Sequence, residues 1–523
     1  VSPGRPGSGR TVDVAVAAPH PAAVAAARDA VAAGGGAVAA ALAAAVTLTV
    51  VYPHQCSLGG DLVALVRAPD GRVTAVLSIG AAAGAVDVAR LRALGGGRMP
   101  GQGAHAVTVP GVVAGWRALD GWGGGPGTRG DGGLGLRWGG GLGPALARAA
   151  RLAEQGATVS TGLARAIRSR WEQVLADPGL RSVFTRDGAP LNAGEPLVQP
   201  QLAGLLRELA SDPDSFYRGA VAADLAEGLR RAGGTLTAAD LAAHDAETAV
   251  PLNLTTDTAS WWATPPPSQG ATLLALLDLR TDDDPVRLVR AATAARDRLL
   301  GDPRRGPVDL SGLLLRDGAT TPVVPALSRR AAGDTVAVTA VDSDGYAVSL
   351  IQSVYQTFGA GVLDPGTGIV LHNRGSAFSL DDGHPALIGP GLRPPHTLCP
   401  LLGRSADVLL AVGCQGGRAQ PQILAATSPD LLDARVAPQA VLDRPRWVVG
   451  ARDLGFDRET VLAEPGALTA PSDGLPVAVT AGPVDDAGHV QVARLAAGHL
   501  EAASDPRADG LGAILNGPQE NPS

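Results

Sequence analysis

Lysine is missing from this chain altogether, so all 43 cationic side chains are arginine, and methionine occurs once, at Met99. Together with 70 glycines, that bias reads as the codon usage of a GC-rich bacterial gene and carries no functional information. Cysteine is scarce: Cys56, Cys399 and Cys414 lie far apart and are odd in number. Their spacing excludes a zinc framework and argues against a disulfide scaffold. Isolated cysteines of this kind are usually small buried hydrophobes. Positive charge is not in excess either, with a formal net charge of −7. The chain therefore projects no basic field toward nucleic acid. The nine histidines contain no H-x-x-x-H pair, so neither a metal nor a cofactor is expected. The longest apolar run, Ala37 to Val51, is too short for a membrane span. The opening VSPGRPGSGR lacks the apolar core of a secretory signal. The expectation is a soluble, cytoplasmic protein with a small-molecule substrate and neither membrane nor nucleic-acid partner.

Hydrophobic residues make up 45% of the chain, enough to build a large core. Residues 1–12 read as a flexible leader. PAAVAAARDAVAAGGG and AVAAALAAAVTLTV predict two helices separated by a glycine break. Two strands are expected around the turn at Asp70-Gly71. Residues 121–143 are glycine-rich and low in complexity, hence a surface loop, with no phosphate-binding pattern. From Pro144 to Val250 the apolar spacing is helical, with Thr235 or Thr237 as an N-cap ahead of Asp240. PPPSQG (265–270) is a rigid turn into another helix, and residues 300–330 read as poorly patterned and exposed. After Gly333 the texture changes to strands: TVAVTAVD, YAVSLIQSVY, GIVLHN and DVLLAVG, with Asp344-Gly345 as a hairpin turn. Helices first and strands afterwards predict an α+β layered fold.

Several segments occur in an order that resembles the gamma-glutamyltranspeptidase family along nearly the whole chain. Among them are HPAAVAAARDAVAAGGG, YPHQCSLGGD, HAVTVPGVVAGW, LAEQGATVS, FYRGAVAADLAEGLRRAGGTLTAADLAAH, PPPSQG, FGAGVLDPGTGIVLHNRGSAFSLDDGHP, LRPPHTLCP, GCQGG and SDPRADG. The resemblance implies a four-layer αββα N-terminal-nucleophile hydrolase fold. It also implies a precursor that cuts itself, here between Asp334 and Thr335, so that 13–334 form a large segment and 335–523 a small one within one body. Thr335 taken alone is an ordinary strand-starting residue; the family frame makes it the nucleophile. A hydroxyl is a weak nucleophile until a base takes its proton, and the α-amine freed by cleavage supplies that base. The resemblance further assigns Ser353 as the hydroxyl that bonds the nucleophile, and Gly416 and Gly417 as oxyanion-hole donors. Asn373, Arg374, His396 and Thr397 are its candidates for substrate contact, with a purely structural role as the alternative.

The chain also departs from the family pattern. No arginine occurs between Arg72 and Arg90, where the family clamps the substrate's α-carboxylate, and the acidic residue for the α-amino group falls at Ala377. Without these partners a glutamyl head group would be desolvated unpaired, at a cost of roughly several kcal/mol. The reading is therefore a self-processing hydrolase or acyltransferase acting on something other than a typical gamma-glutamyl compound, in bacterial secondary metabolism. Alternatives are a carbon–carbon bond hydrolase removing a keto-acid fragment from a proline-like antibiotic intermediate, a true gamma-glutamyl enzyme, and an inactive, unprocessed scaffold.

Overall fold

The computed structural model describes residues 12–121, 141–279, 284–316, 333–451, 454–467 and 473–518. The expected leader and the glycine-rich stretch 121–143 lie almost wholly outside the described residues, as does the second half of 300–330.

Among the described residues, thirteen strands build the two large antiparallel sheets. In chain order they are β1 (Val14–Ala18), β2 (Asp61–Arg67), β3 (Val73–Ser78), β4 (Glu247–Ala249), β5 (Leu252–Thr255), β6 (Ser260–Ala263), β7 (Gly333–Asp342), β8 (Ala347–Gln356), β9 (Leu401–Arg404), β10 (Val408–Cys414), β11 (Val490–Ala496), β12 (His499–Ser504) and β13 (Leu511–Leu515). The first sheet runs β13-β1-β7-β8-β2-β3-β4 and the second β12-β11-β10-β9-β6-β5. Both Asp-Gly pairs close hairpins, β2–β3 and β7–β8. The two sheets face each other, β7 lying across β10 and β11. On the outer face of the first sheet lie α1 (Pro21–Ala32) and α2 (Ala37–Val51). Every residue of α2 is buried; its alanines let the helix sit close to the strands. The second sheet is backed by α3 (Gly270–Asp278) and α5 (Gln420–Leu431), with α4 (Pro285–Leu299) packed on α3. The order of layers is αββα.

Alternation along the strands decides what enters the space between the sheets. In β7, Val336, Val338 and Ala340 join the helix-side core, whereas Ala337 and Val341 pack toward the second sheet. The expected helices of 144–250 are present, including Leu142–Gln155, Pro200–Ser211 and Ala220–Arg231. Thr237 is the N-cap, in a reciprocal capping box with Asp240. Two expectations need correction. GIVLHN yields only a two-residue strand, Ile369–Val370, because the chain turns away to place Asn373 and Arg374. The described part of 300–330 is not uniformly exposed: Leu313 is buried, and Asp302 is buried because it pairs with Arg393 at 2.7 Å.

Three histidines are buried with little tolerance for charge. Burial pushes His54 and His396 down to about 3 and His244 to about 4. Their geometry agrees: Ser78 donates its hydroxyl to the Gly111 carbonyl at 2.6 Å and so accepts from His244 Nε2 at 3.2 Å. In the unfolded chain these rings take up protons near 6.5, so the fold is favoured above that pH. Each histidine then costs the native state about 1.4 kcal/mol per pH unit on descending from about 6.5 toward its folded value. Thermal unfolding followed from pH 7.5 to 5 should show a midpoint that falls steadily below pH 6.5; a flat profile would contradict the neutral burial of these rings.

Candidate active site

Where β7 begins, its pairing with β8 is irregular. Asp334 opposes Tyr355 and Val336 opposes Gln352, so Ser353 and Val354 together face the single residue Thr335. This is a β-bulge, a device that re-aims side chains. Here it brings two hydroxyls together: Thr335 Oγ1 donates to Ser353 Oγ at 3.2 Å, and Ser353 Oγ accepts the Tyr355 N–H at 2.7 Å. Both side chains are buried, at 1% and 2% exposure. Tyr355 has φ +78°, a strained value for a residue with a Cβ.

The strand β10 ends in Cys414, and the chain then turns through Gly416 and Gly417 at φ +146° and +52°. A Cβ on Gly416 would lie 2.6 Å from Ile423 Cδ1. Only glycine satisfies both demands. The short turn Gly417–Ala419 packs against β7. Gln269, from the PPPSQG segment, ties this turn to a second loop. Its Nε2 donates to the Gly417 carbonyl at 2.9 Å and to the Thr397 carbonyl at 2.7 Å.

His396 and Thr397 sit on that second loop. The carboxylate of Asp61, at the head of β2, accepts from Gly80 N at 3.0 Å and from His396 Nε2 at 3.1 Å, with His372 Nδ1 at 3.4 Å. Since His396 Nδ1 accepts the Leu398 N–H at 3.2 Å, the ring carries its proton on Nε2. Burial works to raise the Asp61 carboxyl, but the two histidines overcome it and hold it well below the usual carboxylate range. Both ring nitrogens of His396 are therefore engaged inside the protein, the arrangement that the structural alternative for this residue describes. Asn373 is engaged at both ends too, donating from Nδ2 to the Gly101 carbonyl at 2.8 Å and accepting the Gln356 N–H at 3.2 Å. Arg374 is different. It is buried, lies 3.7 Å over the Tyr355 ring, donates to Thr397 Oγ1 at 3.0 Å, and leaves Nη1 without a partner. Burial lowers its guanidinium to about 10.

A cavity of about 570 Å³ opens beside these residues, lined by Tyr355, Ala377, Met99, Arg296, Asp297 and Arg418 among others. The stretch without arginine, 77–87, does not supply a cation: Ala82 packs in an apolar cluster with Met99, Phe378 and Leu380. Sequence reasoning overlooked Asp61, Gln269, Tyr355 and the charged residues of the cavity wall. Only a polar residue inside an apolar pattern, such as Asp61 ahead of LVALV, could have drawn attention. Among the described residues no group of three His, Cys, Asp or Glu is arranged to hold a metal ion.

Known proteins resemble this chain closely. The sequence profile of the family described as Gamma-glutamyltranspeptidase matches residues 23–515. The oxamate amidohydrolase proenzyme of Klebsiella pneumoniae is 37% identical over 509 residues, spanning 89% of this chain and 92% of that protein. The glutathione hydrolase-like YwrD proenzyme of Bacillus subtilis is 32% identical over 502 residues, spanning 88% and 91%. Among solved structures, a cephalosporin acylase from Bacillus halodurans superimposes with a TM-score of 0.82 at 29% identity, over 98% of each chain.

The Asp61 arrangement yields a test. In Asp61→Asn the new amide would set an N–H donor against His396 Nε2–H or against Gly80 N–H, leaving one buried donor unsatisfied. The expected loss is about 1–3 kcal/mol of stability, measured by urea unfolding. An unchanged midpoint would show that the carboxylate is not the hub described.

Proposed function

The chain belongs to the gamma-glutamyltranspeptidase family, and from that premise we propose a self-processing amide hydrolase or acyltransferase that uses Thr335 as nucleophile on a substrate other than a gamma-glutamyl compound. The observation that carries the reading is the hydroxyl pair at the bulge, with Thr335 Oγ1 3.2 Å from Ser353 Oγ. In processing, the Thr335 hydroxyl attacks the carbonyl carbon of Asp334. The peptide C–N bond breaks, nitrogen takes the proton, and water then hydrolyses the resulting ester to free Thr335 with its α-amine. In turnover the amine, with an ordinary pKa of about 7.7–8.0, accepts the Thr335 hydroxyl proton as Oγ attacks the substrate amide. The N–H groups of the Gly416-Gly417 turn receive the oxyanion, the amine product leaves with the proton, and water or another amine takes the acyl group. Ser353 orients the attacking hydroxyl.

The substrate part of the reading rests on what lines the cavity. Ala377 stands there without a carboxylate for an α-ammonium group, and Ala82, from the stretch without arginine, packs in the apolar cluster of Met99 and Phe378 that borders it. A site that reads a charged head group loses it when the partners go. Relatives named for oxamate and for cephalosporin substrates are consistent with a family member whose acyl group is not glutamyl.

Denaturing electrophoresis of purified protein should show two fragments, the smaller beginning at Thr335 by N-terminal sequencing, and Thr335→Ala should remain one band. Oxamate, a cephalosporin amide and a gamma-glutamyl anilide should then be compared, with kcat/KM for the accepted amide rising with pH through about 7–8 as the amine loses its proton. Persistence of one wild-type band would refute processing, and robust turnover of the anilide would refute the substrate reading.

A further inference from the structure

The first sheet sets three chemical groups in a row. Its strands β7, β8 and β2 are neighbours, and Ala337, Ile351 and Val63 on them share one apolar cluster on the side of the second sheet. Side chains two residues apart on a strand share a face, so Thr335, Ser353 and Asp61 follow on that same side. Thr335 Oγ1 lies 3.2 Å from Ser353 Oγ, and Ser353 stands directly opposite Asp61 in the ladder. Neighbouring strands are about 4.8 Å apart, which places Asp61 about 10 Å from the start of Thr335. An acid at the head of DLVALV, otherwise an apolar strand, thereby acquires a location beside the nucleophile.

The carboxylate is fixed and charged. Gly80 N and His396 Nε2 donate to its two oxygens, and a Cβ on Gly111 would lie 3.0 Å from Oδ1. The titratable groups that face Asp61 from the surrounding segments are His372, His396, His244, Tyr217 and Arg374. Tyr217 donates its hydroxyl to the Pro110 carbonyl at 2.9 Å, and Arg374 is the permanent cation. In this set Asp61 is the only acid. Catalysis by an amino-terminal threonine moves the hydroxyl proton to the α-amine, so positive charge appears at the start of β7 as Oγ attacks. A buried anion two strands away favours that charge, because a low-dielectric interior screens it weakly. The oxyanion forms on the other side, against the Gly416-Gly417 turn, and has its own donors there.

We propose that Asp61 is a positioning residue, the third member of a Thr335–Ser353–Asp61 row, whose buried carboxylate stabilises the protonated Thr335 amine during turnover. The proposal rests on the Thr335 reading. No proton passes to Asp61: the hydroxyl proton goes to the amine and from there to the leaving amine, while the carboxylate stays ionised.

The test is the pH profile of kcat/KM for an amide that the wild-type enzyme accepts. An anion nearby raises the affinity of the amine for its proton, so its removal makes the amine lose that proton at lower pH. In Asp61→Asn the rising limb should therefore move down by about half a unit to one unit, the size expected of one charge about 10 Å away. The plateau kcat should fall about tenfold, with KM unchanged. Asp61→Glu, which keeps the charge, should keep the wild-type limb. Lost packing alone would lower the whole profile and leave the limb in place. Each variant is measured at a temperature where unfolding curves show it folded. Should Asp61→Asn not fold, Asp61→Ser, whose hydroxyl can accept the Gly80 N–H, takes its place. A limb that stays at the wild-type pH in a folded, self-cleaved neutral variant would overturn the proposal and leave the Thr335 reading intact. A wild-type protein that neither cleaves itself nor turns over amides would remove the Thr335 reading and the proposal with it.

Discussion

A single slip in the pairing of β7 with β8 would turn every side chain of β7 to the opposite face of the sheet. Thr335 would then point into the helical layer and Val336 toward the second sheet. What prevents this is the apolar contact on both sides: Val336, Val338 and Ala340 against the helices, Ala337 and Val341 against the second sheet. Near Ala337 the sheets come so close that a Cβ on Gly413 would lie 3.1 Å from the Ala337 Cβ. The bulge works within that fixed register. It shifts the pairing by one residue on β8 only, which sets Ser353 beside Thr335 while the rest of the ladder keeps its alternation.

Around this fixed pair, the loops are held by buried polar groups rather than by apolar packing. Gln269 joins the Gly417 and Thr397 segments, Arg374 joins Thr397 to Tyr355, and Asp61 joins His396 to the stretch at Gly80. Loops cannot satisfy their backbone through a ladder, so each carbonyl turned inward needs a side-chain donor. Such networks specify one geometry when complete and are costly when one member is lost. Here they tie chain segments distant in sequence to the end of β7.

Much of the fold was legible because it depends on local rules. Asp70-Gly71 and Asp344-Gly345 announce hairpins by turn chemistry, Thr237 announces a cap, and TVAVTAVD announces a strand by its β-branched residues. The close approach of Thr335 and Ser353 was expected from family resemblance, not from spacing, since 18 residues and an irregular register separate them. The hydrogen-bond partners of His396 and Asn373 were harder to read. A histidine beside a candidate site looks the same in sequence whether its nitrogens face a ligand or, as here, Asp61 and the Leu398 N–H. The cavity wall was invisible for a related reason: Arg296, Asp297 and Arg418 come from a helix and a turn more than a hundred residues apart, and no local pattern links them.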